Sequence, residues 1–292
     1  MDLLALALVL ISAGMHATWN FWAKRASDSV SFLWGFSAVM PLIAGAVVLG
    51  EWLFFGNPPN FTTWKLAILG GVIQAAYISL MGAGYNRGDL SVVYPVSRGT
   101  APLIIAVIAW LFLRETPSAV GLLGICIILG GAVLLSWDML FRNGPSPSAA
   151  KPTASLGCAA LAAVTIALYH VVDKAGAQGS SVTSYQFLME VVIVIALTPL
   201  LFIRRRAAKV KAEFREHGAL IFGASLFGYV AYALVITAMM RESVAYVAAA
   251  RNVSILIGIA LGATQLREGK LGLRLIAGAL LLGGIVTLAV GG

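Results

Sequence analysis

Four side chains stand where a charge or a titratable ring has to be accounted for. His16, Arg98, Glu190 and Arg251 each lie inside a long apolar run of the sequence. Arginine presents a planar fork of donors that matches a carboxylate or phosphonate, so Arg98 and Arg251 could hold the anionic group of a small molecule. Glu190 and His16 could then take an amine or a coupling proton. The architectural alternative is that Arg251 and Glu190 form a permanent ion pair locking two parts of the chain together, because unpaired charges are costly in lipid. For Arg98 no carboxylate of another apolar run falls at its depth, which favours a ligand.

The elements that position these residues follow from composition. Of 292 residues, 60% are hydrophobic and 11% charged, with a mean hydropathy of +0.93, whereas soluble domains carry about 25% charge. A water-soluble fold is excluded. Apolar runs of about twenty residues recur from end to end, and that length crosses a bilayer as a helix. Breaks at charge clusters, proline and glycine place spans near 3–22, 32–53, 64–85, 92–113, 120–137, 156–172, 182–203, 219–240, 244–266 and 271–290. The expected fold is an all-α membrane protein of ten transmembrane helices. Gly144, Pro145, Ser146, Pro147 and Ser148 mark one polar linker, 143–153, between a first repeat, 1–142, and a second, 154–292.

The two parts repeat in register. Arg98 aligns with Arg251, Arg114-Glu115 with Arg267-Glu268, Gly130-Gly131 with Gly283-Gly284 and Asp89 with Glu242, all at one offset. A slightly different offset matches Trp19-Asn20 to Tyr169-His170 and Lys24 to Lys174. Because each repeat holds an odd number of spans, five, the second enters the membrane from the opposite side, as in secondary transporters built from inverted repeats. At about 1.5 Å per residue in a core of about 30 Å, Arg98 and Arg251 bracket the midplane roughly 8 Å apart, with His16 near the level of Arg98 and Glu190 near that of Arg251.

Lys and Arg concentrate in the loops of one side, above all Arg204, Arg205, Arg206, Lys209, Lys211 and Arg215. In a soluble protein the net charge of +8 would point to nucleic acid; between membrane spans it sets orientation and implies no nucleic-acid partner. That side is expected in the cytoplasm of a bacterial-type inner membrane, with both termini outside and lipid as the surrounding partner. The first span has no basic flank, so a cleaved signal peptide is not expected.

A second group of candidates is aromatic. Trp19 and Tyr169 occupy equivalent positions, with Tyr77 in span three, Tyr94 in span four and Tyr229 and Tyr232 in span eight; an apolar ring with one polar handle suits an amphipathic ligand. Trp52, Trp64 and Trp137 sit at span ends and read as an interfacial belt. Pro95 and Pro102 flank Arg98, where span nine has Ala248 and Ile255, so the site is expected to be asymmetric. The glycine pairs, and Gly258 to Gly262, read as close helix packing rather than dimerisation, and the expected state is a monomer. Cys126 and Cys158 lack partners at metal or redox spacing and read as packing residues.

The fourth span followed by Leu113-Arg114-Glu115 and a glycine-rich fifth, repeated at Leu266-Arg267-Glu268, resembles the EamA family of the drug/metabolite transporter superfamily over nearly the whole chain. That resemblance implies movement of amino acids, amines or other small metabolites, often outward, around a cavity between the halves, with no cofactor or metal. A narrower resemblance, at Met15-His16-Ala17-Thr18-Trp19-Asn20 and Tyr94-Pro95-Val96-Ser97-Arg98-Gly99, is to members associated with phosphonate use. The expected function is export of amino acids, including aromatic and neutral ones, with a proton as candidate coupling ion. Uptake of a small phosphonate or amine is the alternative. An integral-membrane enzyme is disfavoured: no zinc motif, metal-binding carboxylate pair, nucleophile triad or phosphate-cradling loop is visible. Nor does any segment read as a selectivity filter.

Overall fold

The computed structural model describes residues 1–23, 26, 28–85, 90–142, 152–203, 207–254, 257 and 271–291; within the helices, side chains at 29, 82, 84–85, 90–96, 135–142, 152–156, 200–203 and 271–275 fall outside that description. Lys24, Arg25, Asp89, Arg204 to Arg206, Arg267, Glu268, the Gly258 to Gly262 stretch and linker residues 143–151 therefore lie outside the described residues, as do the Pro95 and Trp137 side chains.

Among the described residues the chain forms ten helices and no strand. They are α1 (Leu3–Ala23), α2 (Ser29–Phe55), α3 (Trp64–Tyr85), α4 (Leu90–Leu113), α5 (Ala119–Arg142), α6 (Pro152–Gln178), α7 (Val182–Ile203), α8 (Ala207–Arg241), α9 (Val244–Arg251) and α10 (Leu271–Gly291). Six of these, α1, α2, α3, α6, α7 and α8, are long and apolar enough to cross a membrane; shorter apolar stretches fill α4, α5 and α10. Their ends carry local stop signals. Asp28 caps α2 by accepting the Ser31 N–H at 3.0 Å, and Gly56, at φ 69°, turns the chain left-handed at its other end.

The polarity of the molecule is inverted relative to a soluble protein. Leu3, Phe54, Phe112 and Val290 are more than 70% exposed, while Ser12, His16, Asp173, Glu190 and Arg251 are buried. Apolar side chains outward and ionisable ones inward is the arrangement that lipid selects. Trp52 and Trp64 stand half-exposed at the ends of α2 and α3, as a belt requires.

Packing has a two-fold pattern. α3 packs on α6 and α8 on α1; α2 packs on α8 and α7 on α3; α4 packs on α6 and α9 on α1; α5–α10, α2–α7 and α4–α9 meet as equivalent pairs. The halves thus interleave. One end of the bundle gathers the start of α1 and the finishes of α6, α8 and α10: the Met1 ammonium donates to Leu288 O at 3.0 Å, Asp2 N–H donates to Glu242, and Lys174 donates to Glu242 O at 2.8 Å. The second half therefore runs antiparallel to the first.

Glycine makes the closest approaches possible. A Cβ at Gly131 would lie 2.9 Å from Ala277 O and one at Gly284 2.9 Å from Gly124 O, whereas Gly130 and Gly283 have nothing nearby, so one glycine of each pair serves the α5–α10 contact. Gly70 of α3 faces α6 and α7, where a Cβ would lie 2.5 Å from Asp173 Oδ1 and 2.8 Å from the Tyr185 hydroxyl. Gly70→Ala should destabilise the protein by about 1–3 kcal/mol through overpacking, read as a lowered melting temperature in detergent. An unchanged melt would show that α3 can shift away freely.

Three expectations need correction. Span six continues past residue 172 to Gln178, which brings Asp173 and Lys174 into the helix. The basic segment before span eight is not a solvated loop from Ala207 on but a helical extension of α8, bent at His217 (φ −122°, ψ 21°); His217 meets Glu213 at 2.9 Å, and Glu213 accepts the Asp28 N–H at 3.0 Å. This contact anchors the extension to the α2 cap. Cys126 is exposed on α5 and is not a packing residue; both cysteines are free.

Candidate functional site

Arg98, in the first half of α4, and Arg251, the last residue of α9, reach the same imidazole from opposite halves of the chain. Arg98 Nη2 lies 3.1 Å from His16 Nε2, and Arg251 Nη2 lies 3.4 Å from His16 Nδ1. A neutral imidazole offers one acceptor and one N–H, and guanidinium only donates. The ring can therefore satisfy one arginine, and the other confronts a donor. The two guanidinium groups thus bring more donors to the ring than the ring can accept.

Two further donors point the same way. Arg251 Nε and Asn252 Nδ2 are buried without a hydrogen-bond partner among the described residues, and buried polar atoms left unpaired call for an explanation. Both residues line a narrow cleft of about 10 Å³, together with Arg98, Pro102, His170 and Ala248. α9 tightens at this point: the Asn252 N–H donates to Ala249 O at 3.0 Å, three residues back.

An aromatic wall adjoins the arginines. Trp19 stacks on Phe36 (4.6 Å between centroids, 27°) and meets His16 edge-on (5.1 Å, 89°). Tyr169 contacts Tyr77 at 5.8 Å, Tyr232 at 6.4 Å and His170 at 4.5 Å. The Arg251 guanidinium sits 5.6 Å from the Tyr232 ring centroid, a cation–π contact. The structure thus brings together His16, Trp19, Tyr77, Arg98, Tyr169, Tyr232 and Arg251. The Tyr94 side chain lies outside the described residues.

Glu190 does not join them. It is buried in α7 beside Gln186, one turn earlier, and makes no ion pair with Arg251. The expected Arg251–Glu190 lock is therefore absent among the described residues; Glu190 hydrogen-bonds Gln186 of its own helix instead. Among the described residues, a largely buried Lys174 pairs instead with Glu115, Nζ to Oε1 at 2.5 Å, at the end of the bundle where α6 finishes. Glu115 also accepts the Val244 N–H at 2.9 Å, capping α9.

Sequence reasoning missed one polar cluster. Asp173, buried in α6, accepts from the Tyr185 hydroxyl at 2.7 Å, from Gln74 Nε2 at 2.9 Å and from the Tyr232 hydroxyl. The signal was available in Gln74, a lone amide within an apolar run, and in the helix-compatible sequence that continues from Val172 to Gln178.

Comparison with known proteins agrees with this architecture. A sequence model of the EamA-like transporter family matches residues 3–137 and again 154–290. Multidrug resistance protein EbrA of Bacillus atrophaeus is 30% identical over 79 residues, spanning 27% of this chain and 75% of EbrA. A crystal structure of another protein superposes with a TM-score of 0.71 at 19% identity, over 97% of this chain and 95% of that one, which shows a shared fold. With both of its repeats matched by the family across most of its length, the chain belongs to the EamA-like transporter family.

Proposed function

We propose that this multi-pass membrane protein is a secondary transporter that moves a small metabolite with an anionic headgroup by alternating access, its ten helices crossing the membrane as two inverted repeats. The observation that carries the reading is the convergence of Arg98 and Arg251 on His16, with more donors than the ring can accept. The arginines take the carboxylate or phosphonate, and Trp19, Tyr77, Tyr169 and Tyr232 pack the organic portion. Amino acids are the first substrate class, moved outward, a direction that agrees with the multidrug resistance named for EbrA. Small phosphonates are the second, favoured by two guanidinium forks at one point, which match a dianion.

Purified protein in proteoliposomes, offered amino acids, amines and phosphonates with and without a pH gradient, tests this. Flux of carboxylates or phosphonates with no flux of simple amines is the expected result. Transport confined to amines would sink the reading. Orientation is a separate expectation, with the α8 extension in the cytoplasm and both termini outside the inner membrane. A cysteine replacing exposed Lys211 should react with an impermeant reagent only after permeabilisation; labelling in intact cells would reverse the assignment.

A further inference from the structure

We propose that His170 determines the specificity of the anion site: its Nε2 accepts a hydrogen bond from an O–H or N–H that the substrate carries on the carbon next to its anionic group. The proposal rests on the anion-site reading above and adds to it the class of substrate, a hydroxy or amino acid rather than a plain acid.

His170 is buried on α6, and its Nδ1 lies 2.7 Å from Ile166 O, one turn back on the same helix. A carbonyl oxygen only accepts, so Nδ1 carries the hydrogen of that bond. The neutral ring then keeps a bare lone pair on Nε2, which has no hydrogen-bond partner among the described residues. A second proton on the ring would place three like charges around one cleft, since Arg98 and Arg251 line it too. The ring is held twice, by the Ile166 bond and by stacking on Tyr169 at 4.5 Å and 26°. Asn20, the equivalent residue of the first repeat, makes the same local bond, Nδ2 donating to His16 O at 2.7 Å. Of these two equivalent positions, His170 is the one that lines the cleft.

What the cleft offers a ligand is set by its lining. Arg98 and Arg251 can only donate, and the atom of Asn252 left without a partner is its amide nitrogen, another donor. The remaining residues, apart from His170, are apolar. Asp173, the nearest carboxylate along α6, already accepts from Tyr185, Gln74 and Tyr232. A carboxylate or phosphonate therefore answers the donors and leaves the His170 acceptor still to be paired. A buried acceptor left unpaired is costly, so a substrate with its own donor beside the anionic group is favoured over one without. As it stands the cleft admits a group about the size of one water, which a hydroxyl or amino group is. The rest of a substrate enters as the walls part in alternating access.

The probes are 3-phenylpropionate, 3-phenyllactate and phenylalanine, which share an aromatic tail and a carboxylate and differ at one carbon, bearing hydrogen, hydroxyl or ammonium. Calorimetric titration of the full chain in detergent at neutral pH reads the three affinities. The expected result is that a donor-bearing compound binds on the order of tenfold more tightly than 3-phenylpropionate. Which of the two gains more distinguishes the sources of the donor: 3-phenyllactate indicates hydroxy acids, phenylalanine amino acids. His170→Phe keeps a ring and His170→Leu suits a helix, and both remove the acceptor, so in each the ratio should fall to about one. A wild type that binds neither donor-bearing compound more tightly than 3-phenylpropionate would overturn the proposal, and so would a preference that survives in either folded variant; both results leave the anion site standing. Absence of binding of all three compounds by wild type would instead remove the anion site and this proposal with it.

Discussion

Replacing Arg98 with alanine should abolish binding and flux of the anionic substrate while the protein still folds. Two charge-assisted hydrogen bonds to an anion are each worth about 1.5–3 kcal/mol, so losing Arg98 weakens binding on the order of a hundredfold or more. Folding is expected to survive because Arg98 stands within electrostatic reach of Arg251, a like charge, and its removal relieves that repulsion. Arg98→Lys keeps the charge but loses the fork, and should retain only part of the flux. The measurement is proteoliposome flux beside thermal melting in detergent. Normal transport by Arg98→Ala would shift recognition to the aromatic wall of Trp19, Tyr77 and Tyr169. A collapse of melting temperature would make Arg98 a structural residue.

Glu115→Ala should be among the most damaging single changes to stability. Lys174 is largely buried, with 10% of its side chain exposed, and Glu115 is its partner at 2.5 Å. Removing one member of such a pair strands the other charge, at a cost of about 3–5 kcal/mol. The substitution also removes the acceptor for the Val244 N–H at the start of α9. Adding Lys174→Met to Glu115→Ala should recover much of the loss, since no stranded charge then remains; the residual deficit reports the cap, about 1 kcal/mol. Thermal or denaturant melts of the two single variants and the double form the required cycle. Additive losses would show that the pair has no coupling. The same pair joins the finish of α4 and the start of α9 to the finish of α6, so its loss should loosen contacts between the two halves at that end.

Much of this molecule was determined by its sequence alone. A bilayer demands apolar runs of about twenty residues, so span positions are readable wherever charge and proline interrupt them, and the described helices follow them closely. Duplication leaves a register, and the equivalence of Arg98 and Arg251 in oppositely running repeats was enough to expect both in one central space. They do converge, on His16. The glycine pairs were legible as packing devices, although only Gly131 and Gly284 face a neighbour.

Tertiary structure decided which polar groups meet. Counting residues along a span yields depth but not azimuth: each residue turns a helix by about 100°, so two side chains at one level can face opposite ways. Glu190 and Arg251 were matched by depth, and Glu190 faces Gln186 instead. Lys174 found Glu115 because α6 runs a turn and a half beyond its expected end, carrying residues assigned to a loop back into the bundle. The same extension buried Asp173 among Tyr185, Tyr232 and Gln74, three residues from three other helices. No spacing in the sequence encodes that meeting, because helix rotation is set by the packing of neighbours, here by contacts such as that of Gly70 against Asp173.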